Sequence, residues 1–568
     1  MIHNTLKYTV LLSITLLVSM TSCKEKQLSY DEIIADFIYE YSDFTPEQVK
    51  NAVDVASYSK TGQSKGYTLL LDDSATLVVP KNAESLRLND LTLNVWRKEN
   101  TLTFFAAVVD ERTHSATVFE TWFGGEGGMF GDAIPPREVQ RYITTGYISG
   151  NETPEHRHQP TRRLEGKVIQ WSDELVIFGS PTYSAIVPKG SLQTFPYPSD
   201  YYELDGRHWL YSRVEVEFSG GFILDVIDLY TMKKIGVKFG VNRNDTFDFQ
   251  LYSDTGKIRG QLAVYRPFGA QNQRSMNIIP DSILRQMPPM PKGMRYLYRP
   301  LQLTKPMTLE EVVEVATQTK AWKGAFEGPG KEKKMMEHSN ILDNRKFTIQ
   351  FDNGASWDYE IGENFNMRFR EGAGDWKSER YDAFEADDGL VFFTHVTDND
   401  CPIDALQHVI DLKNGLASCI RSTFDNKENP LYPHQQWLFG IIKADGITAS
   451  KARHHFTDEL LGHSYTWEYS DDVSSQHVYT TTESFSYAII SSNTGATVMG
   501  SFPCKYVKIR DGIYLMSWVE MRSQGIQGIL LFNTKTMHDC GTCHGMTHDH
   551  IFEFNTFGAE SRSGGRFY

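Results

Sequence analysis

The chain has 568 residues, more than one hydrophobic core organises, so several domains are expected. Its net charge of −15 argues against a nucleic-acid backbone as partner, because phosphate binding needs a basic face. With 40% apolar and 12% aromatic residues, in Val, Thr, Tyr and Phe runs cut by Gly, Asn and Asp, the composition points to mainly β globular structure.

The first segment, 1–22, reads as a lipoprotein signal peptide. Lys7 precedes an apolar run from Tyr8 to Met20, too short to span a bilayer and sized for secretion. Met20-Thr21-Ser22-Cys23 then places small residues before a cysteine, which predicts cleavage there and lipid on Cys23. A bacterial cell envelope is the expected location, with the outer membrane favoured and contact with the membrane through the anchor alone. Residues 23–60 follow as a helical spacer. In "TPEQVKNAVDVASYS", Thr45 is an N-cap, Pro46 takes the first helical position and Gln48 completes a capping box. A second helix is expected from Thr308 to Gly324, inside a linker over 266–339.

What lies on either side of that linker is a repeat. Shifting the sequence by 305 aligns Pro198–Phe249 with Pro503–Phe554 without a gap, pairing Tyr201 with Tyr506, Leu210 with Leu515, Ser212 with Ser517, Glu215 with Glu520 and Gly236 with Gly541. Upstream, at a shift of 296, Arg157-His158 recurs as Arg453-His454 and Trp171 as Trp467. More weakly, "YTLLLDDSA" from Tyr67 matches "FTIQFDNGA" from Phe347, and "ENTLTFFAAVVD" from Glu99 matches "DDGLVFFTHVTD" from Asp387. Four units result, over 61–150, 151–265, 340–445 and 446–568. Short alternating strands separated by turns such as "DNGA" and "RDG" suit up-and-down meanders, and about eight strands fit each unit. The expected fold is therefore four small antiparallel β-barrels in two tandem pairs.

One stretch, "HDCGTCHGMTHDH" from His538, carries Cys540-Gly-Thr-Cys543-His544, the letters of a c-type haem attachment site. The repeat sets Cys540, Cys543 and His544 against Ile235, Lys238 and Phe239, plain strand residues. Residues three apart on a strand point to opposite faces, so the two thiols serve one haem or one zinc only if the strand breaks at Gly541. Incidental strand cysteines are the favoured reading, with no metal or cofactor expected; a peripheral metal site using His538, His544, His548 and His550 and covalent haem are the alternatives. The odd number of cysteines left after Cys23 fits no disulfide framework that uses all of them.

The stretches "RHHFTDELLGHSYTWEYS", "PCKYVKIRDGIYLMSWVE" and "ILLFNTKTMHDCG" resemble the C-terminal domain of the molybdenum cofactor biosynthesis protein F (MoaF) family, and "RKFTIQFDNGASWDYEI" with "GLVFFTHVTD" resembles its N-terminal domain. The resemblance covers about 340–558, and through the repeat a diverged copy covers about 60–265. It implies calycin-like barrels, similar in fold to lipocalins and phenolic acid decarboxylases, and only weakly implies a role in molybdenum cofactor synthesis. The decarboxylases have a similar Ser-Trp-x-Glu strand with its Glu in the cavity, which carried over falls on Glu520 and, in the sister copy, Glu215. Their tyrosine pair falls on Trp467 and Tyr469 and on Trp171 and Asp173, a departure that puts phenolic acid decarboxylation in doubt.

Alternation on the strand "YSRVE" puts Trp209, Tyr211, Arg213 and Glu215 on one face, as it puts Tyr514, Met516, Trp518 and Glu520 on its counterpart. That aromatic and acidic face is the expected barrel interior. The candidate ligand-binding residues are Trp467, Tyr506 and Trp518 with Trp171, Tyr201, Arg213 and Glu215, for a small, partly aromatic ligand. Two alternatives stay open: a lyase or isomerase using Glu520 as acid/base with Tyr469, and a structural lipoprotein whose barrels are filled.

Overall fold

The computed structural model describes residues 32–33, 45–56, 62–125, 134–179, 183–215, 220–242, 244, 246–263, 307–318, 329–425, 427, 432–491, 499–520, 525–547 and 551–568. Residues 1–22 and Cys23, with the expected signal and lipidation site, lie outside them. No helix among the described residues is long and apolar enough to cross a membrane.

The structure is mainly antiparallel β, in four sheets that follow the four units. The third unit is a closed eight-stranded barrel. Its first strand, Lys346–Phe351, pairs with its last, His434–Lys443, bringing Phe351 opposite Gly440. The fourth unit also closes, through pairing of Met499–Arg510 with Ile513–Glu520 and of His463–Glu468 with Phe552–Arg566.

The first unit does not close as the third does. The first is a seven-stranded open sheet whose ends, Thr76–Val79 and Glu84–Leu88, are neighbours in the chain. It has one strand fewer than its sister. Its Phe105-containing strand, Thr103–Asp110, is third from the closing strand, as Asp404–Asp411 is in the third unit, so the weak match of "ENTLTFFAAVVD" to "DDGLVFFTHVTD" was displaced by one strand. The second unit closes through a last strand interrupted only at Gly256: Phe247–Thr255 pairs with Lys233–Val241 and Lys257–Gln261 with Lys167–Gln170, as the continuous Phe552–Arg566 of the fourth pairs on both its sides. Of the four expected barrels, the first is thus an open sheet among the described residues.

Sister positions otherwise keep their pairing. Arg213 faces Ile223 as Trp518 faces Gly528, and Gly236 faces Tyr252 as Gly541 faces Phe557, all at the shift of 305. First and last strands of the odd units approach at Gly146 and at Gly440, where a Cβ would sit 2.4 Å from the Leu70 and Gln350 carbonyl oxygens respectively. Only glycine fits that contact.

The units pack in pairs over apolar faces. Phe104 of the first stacks on Phe239 and Phe247 of the second at 5.0 and 5.3 Å, within one shared core. Phe384, Phe392 and Ile420 of the third meet Leu515, Ile529 and Leu531 of the fourth. The repeated Arg-His pair joins units within each half. Arg157 reaches Asp72 at 2.6 Å and Arg453 reaches Asp352 at 3.3 Å; His158 Nδ1 lies 2.9 Å from Thr117 Oγ1 and His454 Nδ1 2.7 Å from Ser418 Oγ. Burial holds the His158 imidazole down at about 4, so it serves as a neutral link.

Both expected helices form. Pro46–Val55 carries the reciprocal cap, Gln48 N donating to Thr45 Oγ1 at 3.2 Å and Thr45 N to Gln48 Oε1 at 2.8 Å. Leu309–Gln318 uses Thr308 and Glu311 in the same way; Gly324, the expected end, lies outside the described residues.

Candidate functional site

The second unit holds a cavity of about 670 Å³. Alternation brings its side chains together from four strands: Arg213 and Glu215 from His208–Glu215, Lys234 and Lys238 from Lys233–Val241, Tyr252 from Phe247–Thr255, and Phe195 and Tyr197 from Phe195–Glu203. Glu174 enters from the hairpin after Trp171.

Charge in this wall is paired at close range. The Arg213 guanidinium, 4% exposed, donates through both terminal nitrogens to Glu174 at 2.9 and 2.7 Å and also reaches Glu215 at 3.0 Å. Lys234 Nζ lies 2.9 Å from Asp225 and 4.6 Å from the centre of the Trp171 ring, while Lys238 stands 3.5 Å from Glu215. Tyr252 donates its hydroxyl to Asp225 at 2.6 Å. Burial would raise the Glu174 carboxyl, but the charges of Arg213 and Lys234 more than offset it and hold it at about 2. The arrangement is a rigid ionic floor with aromatic sides.

The corresponding interior of the fourth barrel is built from rings. Trp467, Tyr469, Tyr506 and Trp518 are all buried, Trp467 packing edge-on to Phe532 at 4.5 Å and Trp518 to Phe485 at 5.7 Å. Tyr514, Met516 and Trp518 join this core while Leu515 packs on the third barrel, so the alternation read from the sequence holds. Glu520 is half-buried at the strand end and accepts a hydrogen bond from Trp518 Nε1 at 3.2 Å. Near it, burial pushes the Glu553 carboxyl up to about 7, and the charge of Glu520 adds to the rise.

Tyr201 and Tyr506 do one job in both copies. The Tyr201 hydroxyl donates to the Tyr183 carbonyl at 2.7 Å and that of Tyr506 to the Ser484 carbonyl at 3.3 Å, tying neighbouring strands. Of the residues singled out in the sequence, the structure thus gathers Arg213 and Glu215 at the cavity with Trp171 against Lys234, and Trp467, Tyr469, Trp518 and Glu520 in a separate barrel.

Cys540 and Cys543 lie on one unbroken strand, His538–Met546, and face opposite ways: Cys540 into the seam between third and fourth barrels, Cys543 into the fourth barrel. His544 is buried, its Nε2 donating to the Pro402 carbonyl at 2.7 Å, which leaves no axial position for haem. Burial pushes both thiols well up. Haem attachment through this motif is overturned by that geometry; of the alternative metal set, His548 and His550 lie outside the described residues.

Sequence reasoning missed Glu174, Lys234, Lys238 and Tyr252. The spacing of Lys234 and Lys238, even-numbered steps apart on a strand whose register follows from the repeat, was the available signal. It also missed a cluster inside the third barrel, where the Tyr359 hydroxyl lies 3.3 Å from His395 Nε2 and 3.0 Å from His408 Nε2. The Val396 carbonyl takes the His395 Nδ1 proton at 2.9 Å, so Tyr359 donates to His395 and accepts from His408.

Comparison with known proteins fits this architecture. Residues 324–426 match the model of the MoaF N-terminal domain and residues 454–565 that of the MoaF C-terminal domain. The C-terminal half is MoaF-like. The boundary between the two MoaF matches falls between the two closed barrels of that half. Among solved structures, a Burkholderia vietnamiensis chain described as a beta-lactamase is 12% identical over 18% of this chain and 95% of its own, with a TM-score of 0.16. A Synechocystis apocarotenoid oxygenase mutant is 7% identical over 93% of this chain and 98% of its own, with a TM-score of 0.11. Neither likeness bears on the MoaF assignment. A comparison with curated proteins gives no match.

Proposed function

We propose that this MoaF-like protein binds a small, partly aromatic molecule in the cavity of its second unit, and that a lipid on Cys23 tethers it to a bacterial envelope. The observation that carries the reading is the cavity of about 670 Å³ with a prepaired ionic floor and the rings of Phe195, Tyr197 and Tyr252 around it. Its size lies in the range of ordinary ligand pockets, and its polar groups are fixed before any ligand arrives.

The wall also says what the ligand carries. Arg213, Lys234 and Lys238 each stand against a carboxylate, whereas Asp173, on the cavity rim, has no side-chain partner among the described residues. A carboxylate ligand would compete with Glu174 and Glu215 for the same guanidinium. An uncharged or amine-bearing ring compound meets no such competition. The full chain in detergent, titrated calorimetrically with tyrosol and tyramine, should bind at least one of them, and Tyr197→Ala should weaken that binding about tenfold by removing a ring from the wall. Absence of binding to both, or indifference to Tyr197→Ala, removes the basis for the reading.

A second reading, lyase or isomerase chemistry with Glu520 as acid/base and Tyr469 nearby, is favoured by one observation. Burial, with the charge of Glu520 adding to it, keeps the Glu553 carboxyl near 7, so Glu553 can exchange a proton around neutral pH. Loss of turnover in Glu520→Gln with binding retained would select this reading over simple binding.

A further inference from the structure

A second cleft, of about 420 Å³, lies on the seam between the third and fourth barrels, away from the second unit. The third barrel contributes Arg380, Tyr381 and Thr394, the fourth contributes Phe554 and Asn555, and Lys331 reaches in from the linker. Register explains why these meet. Asp382 pairs with Thr394 across two strands, and Arg380 lies two residues from Asp382, so all three share the outer face of the third barrel that Phe384 and Phe392 press onto the fourth.

The charges here run opposite to those of the first cavity. The lone acid in the wall, Asp382, is held by His338 at 3.1 Å, while Arg380 has no ion-pair partner among the described residues. Thr394 is 0% exposed, and its Oγ1 has no hydrogen-bond partner. A hydroxyl buried without a partner costs free energy that a ligand acceptor would return. Phe554 gives the cleft an apolar ring surface, while the Tyr381 ring on the same strand as Arg380 turns into the core of the third barrel.

We propose that this seam cleft binds a small organic anion, a carboxylate attached to a planar ring. The carboxylate accepts from the Arg380 guanidinium and the Thr394 hydroxyl, and the ring lies against Phe554. The site is independent of the second-unit cavity and selects the opposite charge.

Calorimetric titration of the full chain with benzoate, benzyl alcohol and inorganic phosphate tests this. Benzoate should bind about tenfold or more tightly than benzyl alcohol, since the charge-assisted contacts belong to the carboxylate. Arg380→Ala, a surface change that leaves folding alone, and Thr394→Val should each weaken benzoate about tenfold. Tyr197→Ala, which damages only the other cavity, should leave benzoate affinity unchanged. No heat with benzoate, affinity untouched by both Arg380→Ala and Thr394→Val, or phosphate binding as tightly as benzoate would each overturn the proposal.

Discussion

The second and fourth units keep the same strand register at a shift of 305 residues, yet they fill that frame in opposite ways. Where the second has Arg213, Lys234, Lys238 and Tyr252, the fourth has Trp518, Asp539, Cys543 and Phe557. Each choice has a local complement. Trp518 fits because its cross-strand partner is Gly528, where a Cβ would lie 2.0 Å from the indole; the sister partner is Ile223, which stands beside the smaller cross-section of a guanidinium. Arg213 in turn is tolerated because Glu174 and Glu215 meet it. Backbone pairing sets which way a residue points, while its cross-barrel neighbours decide whether the interior is ionic and hollow or aromatic and packed.

The sharpest break of this comparison is the loss of one ionisable group from each interior. Arg213→Met should cost the second unit about 3 to 5 kcal/mol, because the buried Glu174 carboxylate loses the guanidinium that holds it through two hydrogen bonds. Asp539→Asn should change the fourth little: burial pushes the Asp539 carboxyl well up, and an amide oxygen at that position keeps the acceptor for Ala559 N at 2.7 Å. Denaturant melts of the two variants measure the contrast, and equal losses would refute it.

Acid should separate the halves as well. The Glu174 carboxyl, held at about 2 against 4.5 for the free group, contributes stability that is complete above pH 4.5 and is lost as pH falls toward 2, on the order of 3 kcal/mol. Glu553, raised to about 7, works the other way: its burial weakens the fourth barrel progressively from pH 4.5 up to 7. Thermal unfolding followed between pH 3 and 8 should therefore show Glu174→Gln and Glu553→Gln altering opposite limbs of the profile. A smaller effect is expected where the units agree. Tyr201→Phe and Tyr506→Phe each remove one hydroxyl-to-carbonyl bond and should cost about 1 kcal/mol apiece, alike in the two halves.

Much of this frame was legible. The capping box at Thr45, the opposite facing of Cys540 and Cys543, and the inward face of the strand ending at Glu520 all follow from periodicities of 3.6 and 2, which depend on the backbone alone. The closure of the rings was less so. A missing strand in the first unit leaves the alternation intact and changes only which strand ends meet. Least legible was the second-unit cavity. Lys234 and Lys238 on a strand look like solvent-facing residues until Glu174, far away in sequence, is known to lie beside Lys234, whose Nζ is 3.8 Å from it.

The placement of the thiols gives the two halves separate chemical voices. Cys419, Cys504, Cys540 and Cys543 are unpaired, deeply buried and confined to the MoaF-like half, and the chain has no cysteine between Cys23 and Cys401. A maleimide reagent added during denaturation would therefore report the opening of that half alone, leaving the ionic half silent. The molecule thus carries its own clock for asking which pair of sheets comes apart first.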